Sequence, residues 1–253
     1  MEAQWEYRAV LAVDIEKSSG RGNVALLRNR DALRTMLGEA FRRSGIDWDA
    51  CVRDDLGDGL RVTAPAMTQK ASLVHPLVQE LAHLLREHNR SQSHPTTRIR
   101  VRVALHAGEV CRTPSGEIAG SPLEILARLL DAPPARTALA RAPETVPVSL
   151  LMSQHFYDET VRHGYPGIDP AAFRKVGFTL KELTADAWLH TPGWTPSQEP
   201  EAETETEVST KKPAAKKRDR SQGNTKMVNK ASGNGVIYAT QNGDQHIRIT
   251  GRP

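Results

Sequence analysis

Two aspartates stand where a carboxylate could do chemistry. Val13-Asp14-Ile15 ends an apolar, β-branched run, and Leu56-Gly57-Asp58-Gly59 puts a second acid in a glycine-flanked turn. Carboxylates brought to one point repel unless one is protonated or a cation lies between them, and hard divalent ions favour such oxygen donors. A third constellation is Leu105-His106-Ala107-Gly108-Glu109-Val110, followed by Gly120 and a helix bearing Arg128. Each piece also has a purely structural reading. Asp-Gly is a common hairpin signal, so Asp58 alone reads as a turn residue. Asp14 could simply end its strand. His106, on an apolar strand, reads as a core histidine with a hydrogen-bond partner rather than a ligand.

The elements that must position these residues follow from periodicity. Tyr7–Ile15 predicts a buried strand, broken by Ser18-Ser19-Gly20. Asn23 is placed to cap a helix whose Leu26, Leu27, Leu33, Met36, Leu37, Ala40 and Phe41 recur at helical spacing. Trp48–Arg53 and Leu60–Ala64 predict two strands of a hairpin around Gly57-Asp58-Gly59, so Asp14 and Asp58 can converge if those strands are neighbours. A second amphipathic helix is expected from Pro76 to His88, with Leu77, Leu81, Leu84 and Leu85 inward. Arg98–His106 predicts a strand running into the core. Leu123–Leu130 predicts a helix stopping before Pro133-Pro134. Strand Val146–Leu151, helix Gln154–Arg162 and strands Phe173–Leu180 and Ala187–His190 follow. The order is β-α-β-β-α-β, then α-β-α-β-β. It predicts an α/β (α+β) fold, a ferredoxin-like sheet backed by helices.

Composition bounds the rest. The 253 residues suffice for a sizeable core. No run reaches the ~20 apolar residues of a membrane helix and no signal peptide is evident, so a cytoplasmic protein without membrane contact is expected. Cys51 and Cys111 lie beside apolar runs and read as reduced thiols. The net charge of +4 is uneven: residues 199–253 hold ten Lys/Arg against seven Asp/Glu, leaving the rest near neutral. The basicity belongs to the tail and gives no support for nucleic-acid binding by the folded part.

Val-Asp-Ile, then Leu-Gly-Asp-Gly, then Ala-Leu-His-Ala-Gly-Glu-Val, then a glycine loop into a helix containing Ala-Arg-Leu, in that order, resemble the class III adenylyl/guanylyl cyclase catalytic domain over roughly residues 5–193. The resemblance implies a two-metal site for Mg²⁺ or Mn²⁺, with Asp14, Asp58 and the Ile15 carbonyl as ligands. It implies conversion of a nucleoside triphosphate to a 3′,5′-cyclic nucleotide and pyrophosphate. Arg128 matches the arginine that neutralises the transferred phosphoryl group, and Lys181 the lysine gripping the terminal phosphates. Asp54 and Glu117 match the base-selecting positions. The family's site is shared across a head-to-tail dimer, so a homodimer is implied.

The sequence departs from the family at three places. Glu124 replaces an asparagine that orients the ribose; a carboxylate cannot donate that hydrogen bond, so activity is lost or Glu124 recruits a metal itself. Asp54 is acidic where adenylyl cyclases have lysine, which disfavours adenine and leaves guanine or a pyrimidine. Lys17, Ser18 and Ser19 replace Gly-Phe-Ser/Thr in the phosphate-facing turn. A catalytically silent fold, serving as nucleotide sensor or dimerisation module, is the alternative expectation.

Residues 1–194 are therefore expected to form the cyclase-like domain and 195–231 a disordered linker of glutamates followed by lysines and arginines. In 232–253, two β-prone runs flank Asn242-Gly243 as a hairpin would. This tail weakly resembles bacterial amyloid-like signalling motifs. It reads either as a segment that recruits an effector protein or as an adventitious hairpin.

Overall fold

An apolar stretch at its C-terminal half makes β1 (Gln4–Ile15) a central strand, with Ala9 to Val13 and Ile15 all buried in this computed structural model. The structure describes residues 3–180 and 183–195. A strand buried on both faces needs cover on both. Ala9, Leu11, Val13 and Ile15 point into one apolar cluster, Val10 and Ala12 into the other. Helix α1 (Asn23–Arg43) supplies Leu33, Met36, Leu37, Ala40 and Phe41 to the first, at spacings of three and four. Helix α2 (Leu77–Ser91) adds Leu77, Leu81 and Leu85. The second face is closed by Leu123, Leu126, Leu129 and Leu130 of α3 (Ser121–Asp131), with Ala135 and Ala138 of α4 (Pro133–Arg141).

Strands β2 (Val52–Asp55) and β3 (Gly59–Thr63) form the expected hairpin, and β3 pairs antiparallel with β1. Strand β4 (Val101–Arg112) runs antiparallel to the whole of β1, from Ile15↔Val101 to Gln4↔Arg112. Its end folds back as β5 (Ile118–Ala119). Strand β6 (Val148–Ser153) lies parallel to β4 and leads into α5 (Gln154–Glu159). The hairpin of β7 (Arg174–Leu180) and β8 (Leu183–His190) completes the sheet, whose order is β2-β3-β1-β4-β6-β8-β7 with β5 paired to β4. The segment β2-β3-β1-β4 is the order expected of a ferredoxin-like unit.

Several local expectations are corrected. Gly22, at φ 84, holds the N-cap position of α1 without a side-chain cap, so Asn23 is the first helical residue. Leu27 is 58% exposed, because it falls outside the stripe that α1 turns inward. Trp48 lies in a turn before β2 and packs on Phe41, with ring centroids 5.0 Å apart. Pro133 and Pro134 open α4 rather than ending a helical region, as the first turn of a helix tolerates proline. Among the described residues no helix is long and apolar enough to cross a membrane. The linker beyond residue 195 and the 232–253 tail lie outside the described residues.

Candidate active site

The β1–β4 register sets Asp14 opposite Arg102. Arg102 Nε donates to Asp14 Oδ1 at 3.0 Å, and Nη2 donates to Oδ2. The side chains are only 12% and 10% exposed. The remaining guanidinium nitrogen, Nη1, is buried without a partner. Burial raises the Asp14 carboxyl above its usual range; Arg102 opposes this, while the charges of Asp58 and Asp131 add to it. Asp58 and Asp131 are thus both within electrostatic reach of Asp14.

Asp58 reaches this place through the β2–β3 turn. Gly57 there has φ +90, a conformation that suits glycine. Gly59 lies opposite Asp14, and a Cβ on it would stand 2.0 Å from the Val13 carbonyl oxygen, so the turn is pressed onto β1. The Ile15 N–H donates to the Asp58 carbonyl at 3.2 Å. The Asp58 carboxylate accepts the Ser18 hydroxyl at 2.5 Å. Ser18 belongs to the loop between β1 and α1, which Arg21 ties down by donating to the carbonyls of Glu16, Lys17 and Arg98. Asp58 also lines a small hollow on the α1 side with Arg30 and Leu33. The two carboxylates therefore stand at the same end of the sheet, Asp14 on the face that carries Val10 and Ala12 and Asp58 towards α1, each bonded to a different partner.

This donor set suits a divalent cation. It offers two hard carboxylates at the same end of the sheet, where the charges of Asp58 and Asp131 both act against the ionised form of Asp14. Among the described residues no group of three or more His, Cys, Asp or Glu converges, so further oxygens would come from the backbone, the Ile15 carbonyl included, or from substrate. Each Asp14 oxygen already accepts one hydrogen bond from Arg102, so a cation bound there would compete with Arg102 for the carboxylate's charge.

The remaining expected residues are dispersed. Glu124 is exposed and Arg128 half-buried, one turn apart on α3. Asp54 accepts Nε of Arg61 at 3.0 Å, so its carboxylate already has a partner. Asp54 is level with Ala12 across β3, whereas Glu117 lies beyond Arg112, which pairs with Gln4. Those positions are separated by roughly 25 Å along the strands, so one chain does not bring them together. Lys181 lies outside the described residues. His106 is a buried core histidine whose Nδ1 is 2.7 Å from Ser153 Oγ, and burial lowers its pKa to about 4. Cys51 and Cys111 are free; burial pushes the Cys51 thiol up to about 11. Arg102 and Asp131 were not among the expected site residues. Only the Arg-x-Arg alternation before Val103 hinted that Arg102 shares a sheet face.

Neither a protein-family description nor a curated protein matches this chain in sequence. Solved structures do match. The guanylyl cyclase Cya2 superposes with a TM-score of 0.53 at 13% identity, covering 75% of this chain and 92% of that one. A bacterial light-regulated adenylyl cyclase gives 0.52 at 10% identity, over 74% of this chain and 52% of that one. The adenylyl cyclase CyaB of P. aeruginosa gives 0.50 at 12%, over 75% and 95%. The domain has the class III cyclase fold. Within this cyclase fold, the paired carboxylates lie at the end of β1 and in the β2–β3 turn.

Proposed function

We propose that the domain is a nucleotidyl cyclase, making a 3′,5′-cyclic nucleotide and pyrophosphate from a nucleoside triphosphate. The observation that carries this is the approach of Asp14 and Asp58 at one end of a cyclase-fold sheet, with Asp58 raising the charge cost felt by Asp14. Asp14 and Asp58, with the Ile15 carbonyl, would hold Mg²⁺ or Mn²⁺. Bound there, the cations would acidify the ribose 3′-hydroxyl and neutralise the triphosphate. Ser18 keeps the Asp58 carboxylate oriented, and Arg21 keeps Ser18 in place. Arg128 would neutralise charge on the transferred phosphoryl group, and Lys181 would hold the terminal phosphates. Asp54 and Glu117 would read the base.

Glu124 and Arg128 sit on the side of α3 away from its buried leucines, and Asp54 and Glu117 are far apart in one chain. Both features support a homodimer in which each site draws residues from two chains. A second reading is favoured by one observation: Arg102 already neutralises Asp14 without a cation. On that reading the fold is silent and acts as a nucleotide sensor or dimerisation module. The charged linker over 195–231 would then connect it to a tail that recruits an effector. The test is incubation with each nucleoside triphosphate and Mn²⁺, with cyclic product read by mass spectrometry. Product that vanishes in Asp58→Ala supports the enzyme; nucleotide binding without turnover supports the sensor.

A further inference from the structure

A cavity of about 400 Å³ opens on the α1 side of the β2–β3 hairpin, lined by Arg34, Trp48, Arg53, Asp55 and Leu60. Its volume lies in the usual range of small-ligand sites. The Trp48 indole is held in place: it packs on Phe41, and Gly38 leaves it room, since a Cβ there would lie 3.1 Å from Nε1. The Arg53 guanidinium lies over that indole, 4.9 Å from the ring centroid, and donates to the Trp48 carbonyl at 3.1 Å. Across the cavity, Arg34 donates to Asp55 at 3.1 Å, and Arg30 donates to both Asp55 oxygens at 2.9 and 2.8 Å. Two guanidiniums thus hold Asp55, while Arg53 has a looser partner in the exposed Asp49 at 3.7 Å, and Arg34 remains 57% exposed.

Guanidiniums that line one cavity with an aromatic and an apolar side chain suit a flat ring that carries a phosphate. The geometry points to a second nucleotide site, separate from Asp14, that takes a nucleoside monophosphate with its base against Trp48 and Leu60 and its phosphate between Arg34 and Arg53. A phosphate carries close to two negative charges and three acceptor oxygens, so it competes well with a single exposed carboxylate for Arg34. The site also reaches Asp58. The Asp55 carboxylate that Arg30 and Arg34 hold also accepts the Gly57 N–H at 2.8 Å, in the turn that bears Asp58. A ligand that draws Arg34 away loosens that turn.

The experiment is calorimetric titration of the full chain with each nucleoside monophosphate in EDTA, repeated for Arg53→Gln, Trp48→Leu and Asp14→Asn, with circular dichroism confirming that each variant folds. The expected result is saturable binding of at least one monophosphate. It weakens about tenfold or more in Arg53→Gln and in Trp48→Leu and is unchanged in Asp14→Asn. Inorganic phosphate alone, and the nucleoside alone, bind at least about tenfold more weakly than the monophosphate. Absence of binding overturns the proposal. So does binding that survives Arg53→Gln, binding that is lost in Asp14→Asn, or phosphate binding as tight as that of the monophosphate.

Discussion

Arg102 lies directly across the β1–β4 ladder from Asp14 and takes both of its carboxylate oxygens. The pair is nearly excluded from solvent, so each charge depends on the other. Arg102→Met should therefore leave a buried, unpaired carboxylate and lower stability by about 3 kcal/mol in chemical denaturation. A cation that binds Asp14 should repair part of that loss. Mn²⁺ is expected to stabilise Arg102→Met more than it stabilises the wild-type chain. Equal stabilisation of the two would mean that Arg102 and the cation do not compete for Asp14.

Gly59 faces the same strand with no space for a side chain. Gly59→Ala would drive a methyl group to 2.0 Å from the Val13 carbonyl, forcing the turn off β1. The expected cost is about 3 kcal/mol, measured by urea unfolding, and Mn²⁺ affinity should fall with it as Asp58 moves. A variant as stable as the wild type would show that the turn is not pressed onto β1.

His106 gives a pH signature. Its folded pKa of about 4 lies below the usual 6.5, so between these values the unfolded chain binds a proton that the folded chain refuses. Stability should be complete above about pH 6.5 and decline as pH falls towards about 4, by an amount on the order of 3 kcal/mol. His106→Gln keeps a polar group near Ser153 and removes the titration. Its melting temperature should vary less across this interval than that of the wild type, in calorimetric scans.

Much of the fold was legible because its signals are short-range. β1 is a single apolar run, the β2–β3 turn is written in Gly57-Asp58-Gly59, and the inward leucines of α2 and α3 recur at helical spacing. What escaped depends on tertiary context. β5 is a two-residue pairing with β4, too short for any pattern, and α4 hides behind Pro133-Pro134, which read equally as a loop. Of the site, the two aspartates announce themselves by their turn and strand-end settings. The partner of Asp14 does not, since Arg102 is set 88 residues away by ladder register alone. Asp131 comes near through the packing of α3 on the sheet.

Because burial and neighbouring negative charge raise the Asp14 carboxyl, protons compete with a cation there. Mn²⁺ affinity should weaken as pH falls through the raised Asp14 value and strengthen on the alkaline side, in titrations between about pH 4 and about pH 8. In Asp14→Asn this part of the pH dependence should disappear. If it persists there unchanged, Asp14 is not the group that exchanges a proton for the cation.

The most direct test is the binding of Mn²⁺ itself, followed by electron paramagnetic resonance on the full chain and on Asp14→Asn and Asp58→Asn, with nucleoside triphosphate present. A shared cation requires both acids, so saturable binding should weaken by about tenfold or more in each single variant. Undiminished Mn²⁺ binding in either variant would mean that Asp14 and Asp58 do not hold a common ion.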